Sequence, residues 1–86
     1  MTKSVFSAEY ERFCRLLVEA RRSANLTQIQ LAVALSRPQS YVSKYERGER
    51  RLDVIEFLEI ARALKLDAVS FLEELQQGIE GSKDAD

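Results

Sequence analysis

Apolar residues recur at three- and four-residue spacing along most of this chain and never alternate singly over the length of a strand, so the pattern predicts helices. Tyr10, Phe13, Leu17 and Ala20, with Cys14 beside them, make one apolar stripe. Glu11, Arg12, Arg15, Glu19 and Arg22 fall off that stripe. Ser7 is placed to cap this first helix, and Glu9 and Glu11 suit the positive end of its dipole. Asn25 suits the stop, because asparagine tolerates left-handed backbone geometry.

Thr27 followed by Gln30 is a capping-box pattern, which predicts a second helix from Gln28 with Leu31, Ala32 and Leu35 inward and Ile29 at least partly so. Ser36-Arg37-Pro38 breaks the run, since proline holds the residue before it extended and is tolerated only at a helix start. A third helix is expected from Gln39 to Arg47, stopping at Gly48, with Val42 and Tyr45 inward. Asp53 with Glu56 forms a second capping box and opens a fourth helix to Leu64, with Val54, Phe57, Leu58 and Ala61 inward. Asp67 caps a fifth, in which Val69 and Leu72 are expected to close the core. The expectation is an all-α domain of five helices over residues 8–77, between an N-terminal arm at 1–7 and a disordered polar tail at 78–86.

Composition narrows the functions. A chain of 86 residues is one small domain, and such a domain buries only about 60% of the surface its unfolded form exposes. Cys14 is the only cysteine and there is no histidine, which removes an internal disulfide and the usual zinc spacings. No cofactor or metal is expected, and no nucleophile has a nearby base in sequence, so an enzyme is the poorest reading. Cys14 itself reads as a small core residue. With no span-length apolar run and no signal-peptide pattern, a cytoplasmic protein without a membrane partner is expected. The net charge of −1 conceals an asymmetry. Residues 1–52 hold ten of the thirteen basic side chains and five acids, a balance of +5, whereas three bases and nine acids leave residues 53–86 at −6. Such a division can present one face to a polyanion.

Three motifs in order carry a family resemblance. LTQ-x-x-LA at Leu26–Ala32, QSYVSKYERG at Gln39–Gly48 and RLDVIEFLEIARAL at Arg51–Leu64 resemble the helix-turn-helix repressors of the Cro and lambda-repressor type, the XRE family. The resemblance spans Tyr10 to Leu75 and implies a sequence-specific double-stranded DNA binder, with helices two and three as the helix-turn-helix. One departure stands out: Ser36 occupies the place where the family's turn usually carries glycine, which requires a strained positive φ or a different closure.

By this resemblance Gln39, Ser40, Ser43 and Lys44 occupy the positions that contact base edges. Their chemistry suits the role, since glutamine pairs bidentately with adenine and lysine reads guanine acceptors. Thr27, Gln28, Arg37, Tyr41, Arg47, Arg50 and Arg51 are the phosphate candidates, and such contacts hold register without reading sequence. The resemblance also implies an ion pair between Arg21 and Glu46. Phe71, Leu75 and Ile79 are left over for a second apolar surface, which suggests a homodimer, unless Phe71 folds back onto the first helix of a monomer. A dimeric transcriptional regulator on a palindromic operator, without a small-molecule ligand, is the first expectation. Family members of this size include phage repressors, restriction-modification controller proteins and antitoxins. The alternative is a protein-interaction module, or an antitoxin-like partner, that keeps the fold without binding DNA strongly.

Overall fold

A computed structural model describes residues 7–84, with side chains through Gly78. Five helices follow in order: α1 (Ala8–Ser23), α2 (Gln28–Leu35), α3 (Gln39–Glu46), α4 (Val54–Leu64) and α5 (Ala68–Asp84). Four of them begin where a side chain takes an orphan amide, whereas α3 starts at Pro38 without a side-chain cap. Ser7 accepts from Tyr10 N at 3.0 Å, and both capping boxes, Thr27 with Gln30 and Asp53 with Glu56, are complete. Asp67 accepts from the Ser70 amide at 3.3 Å and the Ser70 hydroxyl at 3.0 Å, which hold its carboxyl below the usual range, and from the Val69 amide at 3.1 Å.

The ends share one geometry. Asn25, Ser36, Gly48 and Lys65 all have positive φ, at 62°, 58°, 80° and 56°. After each of them the next amide reaches back to a carbonyl in the last helical turn, as Leu26 N does to Arg21 O at 3.2 Å and Arg37 N to Ala32 O at 2.9 Å. These are Schellman closures. Ser36 therefore takes the left-handed conformation that glycine would adopt without strain.

All five helices contribute to one core, in which α3 packs on α1 and α2, α4 on α2, and α5 on α1. Leu17, Leu31, Val42 and Ile60 are fully enclosed, and Tyr45 is nearly so. Phe13, Phe57 and Phe71 form a triangle of rings whose centroids lie 5.2–5.9 Å apart. This triangle corrects the expected rotation of α5. Phe71 belongs to the monomer core, whereas Val69 and Leu72 are 66% and 44% exposed. A face centred on Phe71 also turns Ala68 and Leu75 inward at helical spacing. Phe71 is thus not available to a dimer, and Leu75 packs against the core edge; the side chain of Ile79 lies outside the described residues.

The inward sets of two other helices also need correction. Ile29 on α2 is 57% exposed, and Val54 and Leu58 on α4 face outward while Ile60 and Leu64 are buried. At the termini, residues 1–6 of the expected arm lie outside the described residues, and Ser7 serves as the cap of α1. The backbone of α5 remains helical past Gly78 to Asp84, where a disordered tail was expected. Gly78 packs closely on α1, since a β-carbon there would fall 2.2 Å from Arg12 Nε.

Candidate nucleic-acid interface

The third helix is anchored by its apolar side. Val42 and Tyr45 fill the core, and Tyr41 is buried at the rim with its ring edge-on to Tyr45 at 5.6 Å. Anchoring these three leaves Gln39, Ser40 and Lys44 exposed and Ser43 half-buried. Ser43 Oγ donates to Ser40 O at 3.3 Å. The Tyr45 hydroxyl has no hydrogen-bond partner among the described residues, and burial pushes its pKa upward so that it stays protonated. Burial likewise raises the Cys14 thiol, whose Sγ donates to Tyr45 O at 3.4 Å, so it behaves as a packed core group rather than a nucleophile.

A chain of polar contacts runs from the core to the tip of α3. Arg21 donates from Nε to Glu46 Oε2 at 2.8 Å and from Nη2 to Glu46 Oε1 at 3.2 Å. Its remaining arm, Nη1, donates to Leu26 O at 2.9 Å. The two side chains are only 11% and 5% exposed. Glu46 Oε1 also accepts from Gln28 Nε2 at 2.8 Å, which sets the amide of Gln28 with its oxygen outward. That oxygen accepts from Gln39 Nε2 at 3.3 Å. One network therefore joins Arg21, Glu46, Gln28 and Gln39, and it holds the first residue of α3 in a defined orientation.

The phosphate candidates are distributed less evenly. Thr27 is occupied as a cap: its Oγ1 accepts from Gln30 N at 3.0 Å, and its own amide donates to Gln30 Oε1 at 2.9 Å. Gln28 is turned toward Glu46 and Gln39. Arg37 and Arg50 flank the Tyr41 ring, their guanidinium carbons 4.5 and 4.9 Å from its centroid. Arg51 lies apart from them, over the ring of Tyr10 at 4.0 Å. Arg47 makes two bonds to Glu49, at 2.9 and 3.0 Å, on the open surface.

Sequence reasoning missed the acids that meet these arginines. Arg37 pairs with Glu59 at 3.4 Å, and Arg50 donates to both oxygens of Glu56 at 3.1 and 2.8 Å. The Arg50 bonds, followed by the Asp53 amide, hold the Glu56 carboxyl down at about 2. Arg37 and Glu59 lie on different elements, and no helical spacing links Arg50 to Glu56, so no local signal announces either pair. Among the described residues no set of three metal-ligating side chains comes together, and no helix is long and apolar enough to cross a membrane.

Comparison with known proteins agrees with this geometry. A helix-turn-helix family model matches residues 17–71. No curated protein sequence matched. Among solved structures, an XRE-family-like protein from Pseudomonas syringae pv. tomato is 48% identical, with a TM-score of 0.78 over 81% of this chain and 85% of that one. The restriction-modification controller protein C.AhdI from Aeromonas hydrophila is 31% identical, with a TM-score of 0.68 over 74% of this chain and 93% of its own. A second controller protein, C.Esp1396I, solved as a tetramer with its natural 35 base-pair operator, is 25% identical, with a TM-score of 0.75 over 84% of this chain and 95% of its own. The fold, the outward polar face of α3 and these relatives lead to one conclusion: the chain belongs to the XRE family of DNA-binding helix-turn-helix regulators.

Proposed function

We propose that this protein is a transcriptional regulator that reads a palindromic operator as a homodimer, with α3 in the major groove and Gln39, Ser40, Ser43 and Lys44 facing the bases. The observation that carries the reading is the network ending on Gln39. A glutamine that gives one N–H to a neighbour keeps its oxygen and a second N–H. That pair of groups complements the donor and acceptor that adenine presents in the major groove. Because Gln28, itself held by Glu46, already orients the side chain, less conformational freedom is lost on binding. Backbone contacts fall to the amides at the start of α2 and to Arg37, Tyr41, Arg47, Arg50 and Arg51 around it, with Thr27 and Gln28 at the helix N-terminus.

For the dimer surface the exposed apolar residues of α4 and α5, namely Val54, Ile55, Leu58, Val69 and Leu72, are better candidates than the buried Phe71. Apolar side chains grouped on adjoining elements of so small a domain favour an interface. A two-fold dimer would space two recognition helices by about 34–36 Å, one turn of DNA. The operator-bound structure of C.Esp1396I is consistent with such an assembly on DNA. The same likeness supports a controller-type role.

The test is selection of bound sequences from a random duplex pool, followed by titration of the best one at several salt concentrations. An enriched inverted repeat with steeply salt-dependent affinity is the expected result. Weak binding with no enrichment overturns the proposal in favour of a protein-interaction module.

A further inference from the structure

Arg37 and Arg50 sit symmetrically on Tyr41 but are held very differently. Arg50 has both terminal nitrogens engaged: Nη1 donates to Arg51 O and Glu56 Oε1, both at 3.1 Å, and Nη2 donates to Glu56 Oε2 at 2.8 Å. Its acceptor is itself fixed, since Glu56 is 16% exposed and takes the Asp53 amide at 3.0 Å as part of the α4 capping box. Arg37 has one contact to Glu59, at 3.4 Å, with the two side chains 34% and 44% exposed. Arg50 is locked and Arg37 is exchangeable.

We propose that Glu59 is a specificity-determining residue: it neutralises Arg37 beside the start of the recognition helix, so a phosphate must compete with the carboxylate for that arginine. The inference rests on the DNA-binding reading above and refines it. Arg37 immediately precedes Pro38, the N-cap of α3, the end of a recognition helix that approaches the bases and their flanking phosphates. An exposed, single-contact ion pair is weak, so a well-placed phosphate displaces Glu59 at little cost. A badly placed phosphate, as on a random duplex, leaves Arg37 with its partner and meets the negative charge of Glu59 nearby. Glu59 thereby penalises incorrect registers more than the correct one, without touching a base. Arg62 lines the same groove as Arg37 and Glu59, so the test must separate the two arginines.

The experiment titrates wild type, Glu59→Gln, Arg37→Gln and the double variant against the selected operator and a scrambled duplex of equal length, across a salt series. Glu59→Gln should tighten binding to the scrambled duplex about two- to fivefold, the converted worth of an exposed ion pair. Its log–log salt slope should steepen by about 0.9, equivalent to one more neutralised phosphate. Operator affinity should change less, so the specificity ratio falls. Adding Arg37→Gln should cancel the gain, and Glu59→Asp, which keeps the charge, should retain the wild-type ratio. Glu73→Gln on the exposed surface of α5 controls for net charge and should leave the ratio unchanged. Unchanged or weaker scrambled binding by Glu59→Gln, a gain that survives loss of Arg37, or an equal effect from Glu73→Gln overturns the proposal. If wild type prefers no operator at all, the DNA-binding reading fails with it; if wild type discriminates and Glu59→Gln changes nothing, this inference alone fails.

Discussion

Glu46 receives three hydrogen bonds from two side chains, and their consequences differ at each end of the network. At the inner end the carboxylate compensates Arg21, a guanidinium with little access to water. Removing it strands that charge, so Glu46→Ala should destabilise the fold by about 3–5 kcal/mol, visible as an early thermal melt. At the outer end Gln39 is exposed and holds nothing in the core. Gln39→Ala should melt like wild type yet lose about 1–3 kcal/mol of discrimination against the scrambled duplex. Equal melting of both variants would contradict the burial argument for the ion pair. A stable Gln39→Ala protein with full specificity would contradict the base-contact assignment.

At the scale of elements, the helix ends carry both strain and charge. Ser36 and Lys65 adopt left-handed backbone that costs a side-chain-bearing residue about 1–2 kcal/mol. Glycine relieves that cost but adds freedom to the unfolded chain worth about 0.5–1 kcal/mol, so a net gain remains. Ser36→Gly is therefore expected to raise stability by about 0.5–1 kcal/mol in denaturant titration. A loss would mean that the serine side chain contributes a contact beyond the turn. The start of α4 carries a pH dependence. The Glu56 carboxyl sits at about 2 when folded, held first by Arg50 and then by the Asp53 amide. Its unfolded value is about 4.3. A depressed folded value stabilises above the unfolded one, and that contribution is lost as pH falls toward the folded one. Acid titration of stability should thus show a loss from about pH 4.3 down to about 2 that Glu56→Gln flattens. An identical acid profile in the variant would mean that Arg50 does not hold Glu56 in solution.

For the whole molecule, the exposed apolar flanks of α4 and α5 give the proposed dimer its test. Leu72 is 44% exposed and is not one of the residues that make up the core, so a charge there should not unfold the monomer. Under the proposed dimer, Leu72→Glu should sediment as a monomer with an unchanged helical spectrum and should bind a palindromic operator far more weakly. Retention of the dimer would move the interface elsewhere. The charge division adds to this picture, because the acidic second half contains α4 and α5 whereas the basic first half contains α1 to α3. DNA and a partner subunit would then be met by different faces.

The helix starts and stops were legible in the chain because they are local. Ser7, Thr27, Asp53 and Asp67 act on amides two or three residues away, and Asn25 and Gly48 act on their own backbone, so adjacent residues carry the whole signal. The polar face of α3 was also legible, since burial of Val42 and Tyr45 turns Gln39, Ser40 and Lys44 outward with Ser43 half-buried, but the burial of Tyr41 was not. Rotation of the flanking helices was not. Val54, Leu58, Val69 and Leu72 are as apolar as the residues that were buried in their place, and an arc of apolar positions does not say where its centre lies. The packing of Phe71 against Phe13 and Phe57 settled α5, because aromatic rings bury more area than the valine and leucine competing with them. Arg37 met Glu59, and Gln28 met Glu46 and Gln39, only once separate helices came together. Local hydrogen bonding wrote the elements into the sequence, whereas the choice of face and of charge partner depended on side chains distant in the chain, and only the tertiary structure decided it.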